Sequence, residues 1–170
     1  MNVNPSMSST ANLMRIINNS NPGKNFTSSQ FTLGIPVANP EEDAKNTTIK
    51  LTARHGGGYT GEVDVTYNRT ALTDNVADPV LEFTSGNTWT STMAENAVTE
   101  AWGLLGGEIS VSSTSAPSAP ATSREVTVTA YSYSKVYQGS VTITLHYFAD
   151  HGPLADAVEN RELGGFLAVR

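Results

Sequence analysis

Two stretches of this chain carry strict two-residue alternation of apolar and polar side chains on both sides of a glycine-containing turn. Nothing else in it constrains the fold so tightly. In the first stretch Ile49, Leu51 and Ala53 alternate with Thr48, Lys50 and Thr52. Across the turn Arg54-His55-Gly56-Gly57-Gly58-Tyr59-Thr60-Gly61, Val63, Val65 and Tyr67 alternate with Glu62, Asp64 and Thr66. Successive side chains on a strand point to opposite faces, so the pattern predicts a β-hairpin with one buried face. In the second stretch Val126, Val128 and Ala130 parallel the first strand, and Val141, Ile143 and Leu145 parallel the second. The match is most specific where the last strand begins: Tyr59-Thr60-Gly61-Glu62-Val63 against Tyr137-Gln138-Gly139-Ser140-Val141. Both read Tyr-x-Gly-x-Val, with turns that differ by one residue.

The elements preceding each hairpin also correspond. Ser9 and Thr10 offer N-cap oxygens, Leu13, Ile16 and Ile17 follow at helical spacing, and Asn18-Asn19-Ser20-Asn21-Pro22-Gly23 stops the pattern. In the second half Ser91 or Thr92 caps a helix with Met93, Ala97, Val98, Ala101, Trp102 and Leu105 on its apolar side, ended by Gly106-Gly107. A short alternating strand comes next in each half, Phe31 and Leu33 or Ile109 and Val111, and then a proline-containing loop, 35–46 or 112–123. The shared order predicts an α+β, mainly β fold: a duplicated helix–strand–β-hairpin unit forming a pseudo-two-fold sheet or sandwich, with terminal arms. Its parts are an N-terminal arm (1–9), a first repeat (10–70), a connector (71–90) holding Val80, Leu81 and Phe83 as an extended segment, a second repeat (91–148) and a C-terminal arm (149–170). The last carries Leu154, Ala157, Val158, Leu163, Phe166 and Leu167, broken by Gly164-Gly165. It either completes the core or docks on a neighbour, because the repeated unit looks complete without it.

Composition limits the function classes. With 38% apolar and 15% charged residues the chain reads as a folded domain. Seventeen serines and twenty-one threonines put hydroxyls over much of its surface. A net charge of −6, with ten scattered basic residues, argues against nucleic acid as a partner. The absence of cysteine excludes disulfides and thiolate metal sites. The N-terminus lacks the charged and apolar regions of a secretory signal, and no run approaches the length needed to span a bilayer, so neither export nor a membrane partner is expected. Without export, the Asn-x-Ser/Thr triplets at Asn18, Asn25, Asn46 and Asn68 are expected to stay unglycosylated.

Catalytic chemistry is not expected either. His146 falls on the polar side of a strand with Thr142 and Thr144, His55 sits in a glycine-rich turn, and His151 lies past a strand end; none belongs to a nucleophile–base–orienter motif. The spacing of His146, Asp150 and His151 fits a solvated strand end better than zinc, and Glu41-Glu42-Asp43 lacks the alternation of a calcium loop. Gly56-Gly57-Gly58 is followed by neither Lys-Ser/Thr nor a helix, so a hairpin turn explains it better than a phosphate cradle. No cofactor and no metal is expected.

Asn21-Pro22-Gly23, Phe31-Thr32-Leu33-Gly34 and the run from Asn46-Thr47-Thr48 through Gly58-Tyr59-Thr60-Gly61 to Val65-Thr66-Tyr67-Asn68-Arg69 resemble small virion proteins of tailed bacteriophages. The resemblance covers roughly residues 10–70 directly, and the second half through the internal repeat. It implies a structural component of baseplate, tail, neck or head surface, assembled in the host cytoplasm. It further implies other virion proteins as partners, and a homo-oligomer within the particle. It carries no catalytic residue. Two groups of side chains are candidates for partner contact: Tyr131, Tyr133 and Tyr137 near the second turn, and Leu163, Phe166 and Leu167 in the C-terminal arm. The tyrosines also suit an alternative, a receptor- or glycan-binding adhesion module in which they form a small aromatic platform.

Overall fold

In a computed structural model of the chain, residues 2–39, 45–84, 90–112 and 123–148 are described. The elements run α1 (Ser9–Ser20), β1 (Phe31–Leu33), β2 (Val37–Ala38), β3 (Thr47–Ala53), β4 (Glu62–Tyr67), β5 (Thr70–Ala71), α2 (Leu72–Asn75), β6 (Val80–Thr84), α3 (Ser91–Trp102), β7 (Ile109–Val111), β8 (Ser123–Ala130), β9 (Tyr137–Gln138) and β10 (Ser140–Phe148). Helix and strand are mixed and strand predominates, as the alternation requires.

The helices α1 and α3 are each capped one residue before the expected position. The Ser8 hydroxyl accepts from the Ala11 N–H, and the Thr90 hydroxyl from the Met93 N–H, each at 3.2 Å. Each cap satisfies one of the donors that a helix start leaves without an intrahelical partner. The α3 core face is correspondingly rotated from its expected stripe: Ala94 and Val98 are buried, whereas Met93 is 43% exposed. The helix stops at Gly103, in the left-handed conformation, before Gly106-Gly107 is reached.

In the first sheet β3 is central. Its one side pairs with β1 and β2, its other side with β4, and all pairings are antiparallel. The second sheet has the order β6-β10-β8-β7, with β6 parallel to β10 and the other pairs antiparallel. The hairpin registers agree: Leu51 faces Val63 and Ile49 faces Val65, as Val128 faces Val141 and Val126 faces Ile143. Phe31 faces Ala53 as Ile109 faces Ala130. The turns share their closing bonds as well. Ala53 N–H donates to Gly61 O at 2.9 Å and Ala130 N–H to Gly139 O at 3.0 Å; Arg54 N–H donates to Gln30 O at 2.8 Å and Tyr131 N–H to Glu108 O at 3.0 Å. Gly61 and Gly139 hold φ near +82° and +77°, a conformation that costs a side chain but not glycine. That is the physical content of the Tyr-x-Gly-x-Val motif.

Each sheet is covered by its own helix, and the buried side chains form two separate clusters. Leu13, Met14 and Ile17 of α1 pack on Phe31, Ile49, Leu51 and Tyr67. Ala94 and Val98 of α3 pack with Ile109, Val126, Val128, Ile143 and Leu145. Among the described residues the two larger sheets share no strand pairing, and each contributes to its own buried cluster. The link is the two-stranded sheet β5–β9, in which Thr70 and Ala71 run parallel to Tyr137 and Gln138.

The connector is more than a tether. Leu72 and Val76 are 0% and 5% exposed and belong to the second cluster, and Val80–Thr84 pairs along its whole length with β10. The N-terminal segment is tied down too. The Asn12 side chain accepts from Asn4 N–H at 2.8 Å and donates to Asn4 O at 2.9 Å, and Val3 packs against the second cluster.

Candidate functional site

The strongest candidate for a functional surface lies beside β4. In the antiparallel ladder the narrow pairs are Leu51–Val63 and Ile49–Val65, continuing the Ala53–Gly61 bond. The N–H and C=O groups of Glu62, Asp64 and Thr66 therefore point away from β3. Among the described residues no strand pairs with that outer edge. A row of outward donors and acceptors of this kind is a template for strand addition.

The floor next to this edge is apolar. Ile17 of α1, Phe31, Leu51, Val63 and Val65 line a groove of about 300 Å³ that runs to Tyr59 in the turn. Val63 is 55% exposed and Tyr59 44% exposed, large apolar surfaces on a residue pattern built for burial. The mouth is aromatic: the Phe31 and Tyr59 rings stack at 5.5 Å, and Phe26 meets both edge-on at 5.5 and 5.6 Å. A second groove, of about 320 Å³, continues between α1 and the end of β4 past Ile16, Ser20 and Tyr67. The Tyr67 hydroxyl is buried and has no hydrogen-bond partner among the described residues. Burial pushes this phenol up to about 12, against the opposing pull of the Arg69 charge, with Glu108 adding to the rise.

The matching strand of the second sheet is finished differently. β10 is capped along Thr144–Phe148 by β6, and Leu72 and Val76 fill the space below. Tyr137, the counterpart of Tyr59, is 1% exposed, and its hydroxyl accepts from Leu105 N–H at 3.1 Å. Tyr137 therefore leaves the expected aromatic platform: it is a core side chain and meets no partner from the surface. Its phenol is raised by burial, with the Leu105 bond opposing and Glu108 reinforcing. Tyr131 and Tyr133 do come together at the surface, stacked at 4.9 Å and 12° between planes. Glu95 raises the Tyr131 phenol, with smaller contributions from burial and from Tyr133. Leu163, Phe166 and Leu167 lie outside the described residues, as does His151.

Three asparagines of the sequence triplets, Asn18, Asn46 and Asn68, hold backbone groups of the fold. The Asn46 side chain accepts from Arg69 N–H and from the Thr47 hydroxyl at 2.8 and 2.7 Å, and donates to Arg69 O at 2.8 Å. Arg69 in turn donates to Thr47 Oγ1 at 3.0 Å and to Ser134 O at 3.3 Å, joining the end of the first hairpin to the second turn. The Asn18 amide clasps both backbone groups of Phe26. On the opposite side of the first sheet, Lys50 and Glu62 form an exposed ion pair at 2.9 Å. Their hydrogen bond is the main cause of a raised Lys50 and a lowered Glu62.

His55 and His146 are exposed. Among the described residues no three His, Asp or Glu side chains are grouped to hold a metal ion, and no helix is long and apolar enough to cross a membrane. What the geometry offers chemically is main-chain hydrogen bonding plus an apolar trough. Sequence reasoning missed the β4 edge because alternation reports which face is buried, whereas strand pairing beyond the hairpin depends on distant segments.

Fold and site together define a mixed, mainly β chain in which, among the described residues, the outer edge of β4 is unpaired beside an apolar groove. The model of a family of unknown function (DUF7941) matches residues 3–169, and the chain belongs to that family. No curated protein and no solved structure matches the chain.

Proposed function

We propose that this chain is a non-enzymatic structural component of a tailed-phage virion, assembled in the host cytoplasm, that binds other virion proteins and copies of itself. The observation that carries the reading is the outward edge of β4 above its open apolar groove, beside a sister strand, β10, whose edge is already occupied. Backbone groups supply affinity in strand addition and the trough beneath supplies side-chain pockets. The resemblance of residues 10–70 to small phage virion proteins supplies the setting. A duplicated helix–strand–hairpin unit belongs to the same reading. It is supported by the equal hairpin registers and by the equivalent turn bonds at Gly61 and Gly139. The test is mass-spectrometric identification of the protein in purified particles separated into heads and tails. Recovery in one fraction is expected, and absence from both would overturn the assignment.

A second reading, an adhesion module for a receptor or glycan, is favoured by the surface stack of Tyr131 and Tyr133. Aromatic faces of this kind suit sugar rings presenting C–H groups. It predicts glycan binding that Tyr133→Ala abolishes. Binding unchanged by that substitution, or no binding to host-surface glycans, rejects it.

A further inference from the structure

The segment that joins the two units docks on the second in three steps. Thr70 and Ala71 pair in parallel with Tyr137 and Gln138, Leu72 and Val76 enter the core, and Val80–Thr84 lies parallel along Thr144–Phe148. Trp102 of α3 adds a bond to Ala77 O at 2.8 Å, and Pro79 O takes the outward N–H of Thr144 at 2.7 Å. Among the described residues, two of these docking places have uncovered counterparts in the first unit. Tyr59 stands for Tyr137 but is 44% exposed rather than 1%. Thr66 stands for Thr144, at an edge that no strand of the described residues covers.

The chain contains a second copy of the docking sequence. Leu72-Thr73-Asp74-Asn75-Val76 of the joining segment is matched by Leu154-Ala155-Asp156-Ala157-Val158, both Leu-x-Asp-x-Val. Nine residues after the first leucine comes Leu81, which pairs with Leu145, and nine after Leu154 comes Leu163 (81 − 72 = 163 − 154 = 9). One such segment follows each hairpin.

We infer that residues 152–166 of one copy dock on the first unit of a second copy, Leu154 and Val158 entering the groove beside β4 and the stretch around Leu163 adding as a parallel strand to its open edge. The inference deepens the assembly reading above and rests on it. In a single chain the groove stays open, with Val63 and Tyr59 55% and 44% exposed and no strand of the described residues on the β4 edge. A segment of another copy is the occupant that the assembly reading supplies.

The chain has no native cysteine, so introduced thiols report cleanly. The register of β6 on β10 places Thr66 of the acceptor opposite Glu162 of the donor. Full-length Thr66→Cys and Glu162→Cys proteins are mixed and oxidised, beside a double variant carrying both thiols. The expected result is a disulfide-linked pair of the two single variants. Adding Leu154→Asp to the donor, which forces a carboxylate toward an apolar slot, should cut its yield by about tenfold or more. Cross-linking only within the double variant's own chain would show that the segment returns to its own first unit and overturns the second-copy assignment. No cross-link in either sample overturns the docking itself. Either failure, with the protein still found in particles, leaves the assembly reading standing. Absence from particles removes that reading whatever the thiols do.

Discussion

Leu72 tests most sharply whether the joining segment belongs to the second core. It lies in a stretch that local sequence marks as a connector, yet it is 0% exposed among Val76, Val98 and the β8–β10 side chains. Leu72→Ala removes three carbons from a closed site. Transfer of about 0.8 kcal/mol per buried methylene gives roughly 2.4 kcal/mol, and incomplete collapse of the cavity raises the loss to about 3 kcal/mol. With a urea slope of about 2 kcal/mol/M for a chain of this size, the midpoint should fall by about 1.5 M. Equilibrium urea unfolding followed by far-UV circular dichroism reads this directly, with Leu13→Ala, at 1% exposure in the first cluster, as the comparison. Both substitutions should cost similar amounts. A loss below about 0.5 kcal/mol for Leu72→Ala, the level of an ordinary surface change, would refute the placement of this residue.

Three further outcomes follow from the same geometry. Gly61→Ala and Gly139→Ala should each cost about 1–2 kcal/mol in urea unfolding, because both positions hold a left-handed backbone in equivalent turns; unequal costs would weaken the equivalence of the hairpins. Tyr67, raised from 10.0 to about 12 in the folded chain, stays protonated where the unfolded chain ionises, so its contribution is complete below about pH 10 and is lost as pH rises toward 12. Tyr67→Phe should flatten that alkaline loss and leave stability at neutral pH unchanged or slightly higher, since the buried hydroxyl has no partner among the described residues; equal alkaline loss in both proteins would contradict this. Ser8→Ala and Thr90→Ala should each lower stability by about 1 kcal/mol through the loss of an N-cap, measured by thermal unfolding.

What could be read from the residues alone divides along a physical line. The hairpins of Ile49–Tyr67 and Val126–Leu145 were legible because period-two alternation records a buried sheet face directly. The helices were legible too, but their phase was one residue off in α3, where Met93 and Ala94 compete for the core and only tertiary packing decides. The role of Tyr137 was not legible. Tyr59 and Tyr137 occupy the same motif, and only the arrival of Thr70 and Ala71 beside one of them makes it a core residue. The same holds for β6: Val80, Leu81 and Glu82 suggest an extended segment, but its parallel partner Thr144–His146 lies some sixty residues away. The open edge of β4 is the complement of that pairing and was hidden for the same reason.

The central claim is that the outer edge of β4 is a surface of assembly. Amide hydrogen exchange of the full chain, resolved by mass spectrometry over residues 62–67 and compared between a dilute sample and the assembled state, tests it most directly. The outward N–H groups of Asp64 and Thr66 should exchange rapidly when dilute and become protected on assembly, while the inward N–H groups of Val63 and Val65 stay protected in both. Equal exchange at Asp64 and Thr66 in the two states would contradict the claim.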